Sequence, residues 1–306
     1  PVGPQMNSHS YIKNRKNEDI IIYINGDLVH RNNAKISVFD SGFLLGDGVW
    51  EGIRLHKSRL VFIEEHLNRL FESAEGLSIE LPFSSKDIEK EIYKVLDANH
   101  MTDDVHIRLI ISRGDKITPY QNPKANIGPI NFVIIPEYKK TDPSVYTNGI
   151  KIGMVPNIRP SKDIQNTHYN TLSKLNCILA SIEANKRGFD EGIMKDLNNN
   201  ISTCNSTNLF FIKDKKIITS TGEFCLNGIT RSKVIEICHE NKITCKEKNF
   251  KFKDIESCEE AFVTGTFAGV IPVSILENRK IESHKPSSIT SKIRNLYLNK
   301  IESYIN

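Results

Sequence analysis

The chain has 306 residues, a hydrophobic share of 39%, a charged share of 25% and a formal net charge of +4. Those values suit an ordinary globular protein with enough material for two domains. They argue against a disordered chain and against nucleic acid as a partner. No stretch approaches the ~20 consecutive apolar residues of a membrane helix, and the first residues lack the apolar centre of a signal peptide, so a cytoplasmic location without a membrane partner is expected. The six cysteines, Cys177, Cys204, Cys225, Cys238, Cys245 and Cys258, form no C-x-x-C pair and carry no histidine spacing. They read as reduced thiols, with neither a metal site nor a disulfide framework supported.

In chain order, Pro1 to Gln5 precede Met6 and read as a cloning remnant, and the mixed-charge stretch Lys13 to Asp19 reads as a solvated arm, which makes residues 1–19 an N-terminal arm. Ile20 to Ile24, the turn Asn25-Gly26-Asp27 and Leu28-Val29 predict a β-hairpin. Val49 to Leu55 and Leu60 to Ile63 read as strands about a Lys57-Ser58 turn. Helical spacing follows at Leu67, Leu70, Phe71 and Ala74, and again at Ile88, Ile92, Val95 and Leu96. Val105 to Ser112 and Ile130 to Ile135 return to strand, so residues 20–149 form a smaller α+β domain.

Polar, turn-rich segments at Lys139 to Gly149 and Pro156 to Thr167 flank a strand at Ile150 to Val155 and read as interdomain connections. Residues 150–306 then form a larger α/β domain. It holds a helix around Leu172 to Asn185, strands at Glu191 to Lys195, Leu209 to Lys213 and Lys216 to Thr219, and a helix from about Arg231 to Glu240. Strands at Ala261 to Thr264 and Ile271 to Val273 precede a closing amphipathic helix, Ser288 to Tyr304.

Three features suggest chemistry. Leu226-Asn227-Gly228-Ile229-Thr230 precedes a helix, where free N–H groups, the positive helix end and a hydroxyl suit an anion. The same residues also suit a helix start with no ligand. A second Gly-Thr turn, Gly265-Thr266, can add donors, and Arg54 on its strand offers the guanidinium fork a phosphate prefers.

The text around these residues resembles a known family. Gly46-Asp47-Gly48-Val49-Trp50-Glu51-Gly52-Ile53-Arg54 and Glu65-His66-Leu67-Asn68-Arg69-Leu70 look like the opening motif of fold-type IV pyridoxal phosphate (PLP) enzymes. These are the branched-chain and D-amino-acid aminotransferases and the aminodeoxychorismate lyases. The likeness continues through Ile107-Arg108, Ser112-Arg113-Gly114, Leu179-Ala180, Glu183-Ala184, Asp190-Glu191-Gly192, Asn208-Leu209-Phe210, Gly228-Ile229-Thr230-Arg231 and Thr264-Gly265-Thr266. It implies a two-domain α/β (α+β) fold with PLP in the cleft, a homodimer, and an amino acid or amine and a keto acid as substrates. It also implies that Arg54, the Ile229 and Thr230 amides and hydroxyl, and Thr266 hold the phosphate, that Thr203, Asn205, Gly228 and Gly265 also belong to the cofactor site, and that His106, Arg108 and Arg113 lie near the substrate carboxylate.

Two departures stand out. The family's Schiff-base lysine falls at Asn170, or at Tyr169 in some branched-chain enzymes, and neither forms an imine. Lys174 is the substitute, one turn after Asn170 if the helix already runs there, ~6 Å along the same face; a solvent-facing lysine is the alternative. Lys162 is a weaker substitute. The family's glutamate, which keeps the pyridine nitrogen protonated, falls at Thr203. The expectation is a PLP-dependent aminotransferase with Lys174 as a displaced Schiff-base lysine. The alternatives are a PLP lyase and a PLP-independent binding or scaffold protein.

Overall fold

A computed structural model describes residues 8–306; the Pro1 to Gln5 segment lies outside them. The arm is not simply solvated. Its strand β1 (Tyr11–Ile12) pairs antiparallel with Lys140–Thr141, and the mixed-charge stretch forms a short 3-10 helix, Arg15–Asp19, capped by Asn14. Asn17 docks that helix, because its amide donates to the Tyr138 carbonyl at 2.9 Å and its Oδ1 accepts from the Tyr138 N–H at 2.8 Å.

β2 (Ile21–Ile24) and β3 (Asp27–His30) form the expected hairpin, with φ of 51° at Asn25 and 104° at Gly26. Next come α1 (Ser41–Leu45), β4 (Gly48–His56), β5 (Arg59–Leu60), α2 (Ile63–Gly76), α3 (Ser85–Ala98), β6 (Val105–Ser112) and β7 (Asn131–Tyr138). The strand expected to reach Ile63 ends at Leu60, because Phe62 at φ 53° turns the chain into α2. The sheet runs β3-β2-β7-β6-β4-β5, antiparallel throughout. Leu67 and Leu70 of α2 and Ile88 and Ile92 of α3 bury against Ile53, Leu55, Ile107 and Leu109. Each such side chain contributes roughly 1.5–3 kcal/mol.

After β8 (Lys140–Thr141) and α4 (Ser144–Asn148), the second unit runs through β9 (Ile150–Ile158), α5 (Leu175–Lys186), β10 (Glu191–Lys195), β11 (Ile201–Cys204), β12 (Asn208–Lys213) and β13 (Lys216–Thr219). It continues with α6 (Ile229–Glu240), β14 (Cys245–Glu247), α7 (Phe252–Ile255), β15 (Glu260–Gly265), β16 (Gly269–Leu276), β17 (Arg279–Lys280) and α8 (Ile289–Ile305). Its mixed sheet has the order β11-β10-β9-β16-β15-β12-β13-β14, with β17 beside β16. Val234 of α6 and Ile293 of α8 cover Phe210 and Phe262, while Ala180 and Ala184 of α5 pack on Val155 and Met194. β11 is buried along its whole length, so it lacks the alternation that announces a strand.

Two helix starts differ from the sequence expectation, and both matter to the site. α6 begins at Ile229, with Gly228 as its N-cap, so Ile229 and Thr230 belong to its first turn. α5 begins at Leu175, not Leu172, with Lys174 as N-cap residue at φ −109° and ψ 11°. No helix among the described residues is long and apolar enough to cross a membrane.

Candidate functional site

The late start of α5 has a physical cause. The Asn170 carbonyl accepts from the Trp50 N–H at 3.0 Å and the Leu172 N–H donates to the Gly48 carbonyl at 2.9 Å. Trp50 Nε1 donates to the Thr171 carbonyl at 3.1 Å, and the Asn170 N–H donates to Ser73 Oγ at 3.0 Å. With these backbone groups satisfied by β4 and α2, the segment has no need of helical bonds. The approach depends on Gly48, since a Cβ there would stand 2.5 Å from the Ile111 carbonyl oxygen and 2.6 Å from a Leu172 methyl.

This bridging loop sets Lys174. Its Nζ donates to Asn170 Oδ1 at 3.0 Å and lies 5.6 Å from the centre of the Trp50 ring. Burial, with repulsion from Arg159 and Arg69 that Cys177 and Glu51 partly offset, brings its pKa down to about 8. Asn170 itself is buried. Lys174 and Asn170 therefore share one location, although no helical turn connects them.

The turn before α6 is clamped. Asn208 Oδ1 accepts from the Gly228 N–H at 3.2 Å, and its Nδ2 donates to the Leu226 carbonyl at 3.0 Å. A side chain at Gly228 would stand 2.5 Å from that Asn208 oxygen. The Thr230 hydroxyl is 3.4 Å from the Tyr297 hydroxyl, and the charge of Arg54 bears on the same buried tyrosine, whose pKa burial raises. The first turn of α6 thus meets Tyr297, and the Arg54 charge is felt there. Thr266 lies in the tight turn after Gly265, which closes where Gly265 pairs with Gly269.

On the sheet, Arg54 pairs with His106 and Gly52 with Arg108, so these residues share one face with Trp50. The Arg108 guanidinium lies 3.9 Å from the Trp50 ring centre. His106 rests against Gly52, where a Cβ would stand 3.0 Å from its ring, and its buried Nδ1 has no hydrogen-bond partner among the described residues. Burial, with Lys139 and Arg108 adding repulsion, lowers its pKa well below the usual range, so the ring is neutral. Arg113 differs from this group. It forms a bidentate pair with Asp47 at 2.7 and 3.0 Å and donates to the Ser78 and Leu77 carbonyls.

The Thr203 hydroxyl donates to the Thr207 carbonyl at 2.8 Å. Asn205 Oδ1 accepts from the Gly192 N–H at 2.6 Å. Thr203 thus holds its own turn together, and Asn205 ties that turn to β10. Lys162 forms no ion pair among the described residues.

Several residues at the site had no assigned role in the sequence reading. Tyr297 comes from α8, far along the chain. Arg159 is buried and donates to Asn176 Oδ1 at 2.7 Å, with Cys177 Sγ 3.1 Å from the same nitrogen. His9 of the arm stacks on Phe267, and His106 meets that ring edge-on. Only the Glu51, His66 and Arg69 letters gave a signal, as parts of a motif.

Fold and site together define a two-part α/β protein with a candidate anion cradle at one helix start and a half-buried lysine on the loop that joins its two sheets. Residues 48–276 match the amino-transferase class IV family, and the chain belongs to that family. It is 34% identical over 290 residues to branched-chain-amino-acid aminotransferase-like protein 2 of Arabidopsis thaliana, covering 92% of this chain and 50% of that protein. The chain therefore spans about half the length of that relative. A putative branched-chain-amino-acid aminotransferase of Methanocaldococcus jannaschii is 32% identical over 274 residues, 89% of this chain and 93% of that one. Among solved structures, a T.th. branched-chain amino acid aminotransferase complexed with N-(5'-phosphopyridoxyl)-L-glutamate superposes with a TM-score of 0.84 at 25% identity, covering 93% of this chain and 95% of that chain.

Proposed function

We propose that this chain is a PLP-dependent class IV aminotransferase acting on an amino acid or amine and a keto acid, with Lys174 in the role the family gives to the lysine at position 170. The observation that carries the proposal is the 3.0 Å contact between Lys174 Nζ and Asn170 Oδ1. The contact supports the reading because it brings the amine of a side chain rooted four positions later against the side chain at position 170.

The donor set suits the cofactor's phosphate: the Arg54 guanidinium, the Ile229 and Thr230 amides at the start of α6, the Thr230 hydroxyl and Thr266. Gly228 leaves room for the Asn208 clamp, since a Cβ there would stand 2.5 Å from the Asn208 oxygen. When bound, PLP supplies an aldehyde for amine exchange and a ring that takes up electron density. Lys174 serves as the amine that exchanges with substrate and as the base that takes the proton from the substrate Cα. With a pKa of about 8, roughly one Lys174 in ten is neutral at pH 7, against about one in three thousand for an ordinary lysine. Arg108, steadied on Trp50, orients the substrate carboxylate, and neutral His106 offers Nδ1 as a further polar contact.

Thr203 cannot act as the carboxylate that would keep the ring nitrogen protonated. Its hydroxyl proton is engaged by the Thr207 carbonyl, so electron uptake by the ring is weaker than in relatives with glutamate. That same observation favours a second reading, a PLP-independent binding or scaffold protein that retains the fold. A PLP lyase is the remaining alternative.

The expected assembly is a cytoplasmic homodimer, and the domains are taken as residues 20–149 and 150–306. Leu175, Ile178, Leu179 and Ile182 form an apolar stripe on α5 that is 44–64% exposed. Such a face suits burial against a second copy. The test is the absorption spectrum with added PLP, then borohydride reduction and peptide mass mapping. A reduced pyridoxyl group on Lys174 supports the aminotransferase; no labelled lysine, with PLP lost on washing, overturns it.

A further inference from the structure

Glu51, His66 and Arg69 belong to the opening motif, yet the chemistry proposed above gives them no part. Glu51 is on β4 facing α2 and is fully buried. His66 Nδ1–H donates to Glu51 Oε2 at 2.7 Å, and Arg69 donates to both carboxylate oxygens, through Nε at 2.7 Å and Nη2 at 2.8 Å. A buried carboxylate needs this degree of satisfaction. The remaining arm of the guanidinium does something else: Nη1 reaches from α2 in the first unit to the Asn227 carbonyl in the second, at 3.0 Å. Asn227 immediately precedes Gly228, the N-cap of α6. The turn is therefore gripped from two sides, by Asn208 from within its own sheet and by Arg69 across the cleft.

We infer that Arg69, aimed by Glu51, is a positioning residue that fixes the direction of the first amides of α6 and so couples the closeness of the two units to occupation of the anion cradle. The geometry favours this over simple fold support. A guanidinium whose Nε and Nη2 are bound to one rigid carboxylate has no freedom left, so Nη1 points in one direction only. An error in that direction passes to the Asn227 peptide and then to the Ile229 and Thr230 N–H groups, whose worth to an anion depends on their angle. Burial alone would raise the Glu51 pKa, yet Arg69 and His66 hold it down at about 2, so the carboxylate stays charged and the aim is kept across the physiological range.

The inference rests on the proposed anion cradle, and the experiment separates the two. Full-length wild type, Arg69→Lys and Glu51→Gln are titrated with inorganic phosphate, PLP and pyridoxal, following the fluorescence of Trp50, the single tryptophan, with thermal unfolding of each variant recorded. Lysine keeps a cation opposite Glu51 but cannot serve the carboxylate and Asn227 in fixed directions at once. Glutamine keeps the shape of Glu51 and weakens its hold on Arg69. The expected result is a loss of about tenfold in affinity for phosphate and PLP in Arg69→Lys, a smaller loss in Glu51→Gln, and unchanged affinity for pyridoxal, which lacks the phosphate. Variants that bind all three ligands like wild type, with only a lower Tm, overturn the positioning role. An equal loss for pyridoxal and PLP overturns it as well. A wild type that binds neither phosphate nor PLP overturns the cradle and this inference together.

Discussion

The amine of Lys174 and the carboxamide oxygen of Asn170 are 3.0 Å apart, although the backbone between them is not helical. The contact comes from a loop held to β4 and α2. Because burial and nearby cations bring the Lys174 pKa down to about 8, the charged amine predominates below that pH and the neutral amine above it. The rate of borohydride-trapped labelling by PLP is expected to rise about tenfold per pH unit below 8 and to level off above it. Lys174→Met removes the label; a profile still rising through pH 10 contradicts the role.

Restoring a carboxylate at Thr203 tests the second departure. Thr203→Glu is expected to raise transamination about tenfold at saturating PLP, since the ring nitrogen regains a charged partner. Without PLP the same variant is expected to be less stable by ~1–3 kcal/mol, because a buried position acquires an uncompensated charge and the Thr207 carbonyl loses its donor. Calorimetry with and without cofactor reads the stability effect and a transamination assay the other; unchanged activity in a loaded variant counts against the aminotransferase.

Gly48→Ala examines the loop. The added methyl would meet the Ile111 carbonyl oxygen at 2.5 Å and a Leu172 methyl at 2.6 Å; the leucine end can turn aside, but the backbone carbonyl does not give way cheaply. A destabilisation of about 1–3 kcal/mol is expected. Lys174 labelling should fall further than the Tm predicts, because the strain displaces the segment carrying Asn170 and Lys174.

Acid should unfold the first unit through Glu51. Its folded pKa of about 2 lies below the ordinary 4.5, so its stabilisation is complete above about pH 4.5 and disappears as the pH falls through 2. The amount at stake is on the order of 3 kcal/mol. Denaturant titrations from pH 6 to pH 2 are expected to show this loss in wild type and a flatter, lower profile in Glu51→Gln. The variant remains folded at neutral pH if the domain has the usual margin of stability.

The α5 stripe predicts the assembly. Ile178→Asp with Ile182→Asp places two charges on a face that in the single chain is 44–64% exposed, and sedimentation is expected to shift from dimer to monomer with little change in helix content. A wild type that sediments as a monomer removes the expectation.

Much of the fold was legible because its signals are local. Asn25-Gly26 can make only a tight turn, the spacing of Leu67, Leu70, Phe71 and Ala74 can only be helical, and the ordered motifs from Gly46 to Thr266 announce the family. β11 escaped because it is buried on both faces. The α5 start was misplaced because Asn170, Thr171 and Leu172 satisfy their backbone groups on β4 and α2, distant in sequence.

The sequence by itself determined the family, the two-unit plan and the absence of a lysine at 170 and a glutamate at 203, since each is a matter of residue identity and order. Tertiary structure alone decided how the charged groups are used. Arg113, outwardly like Arg108, is occupied by Asp47, Arg108 is left to lie on Trp50, and Arg69 reaches Asn227 across the cleft. A guanidinium's partner depends on which carboxylate or carbonyl packing brings within about 3 Å, and packing is a property of the whole fold that no short stretch of residues contains.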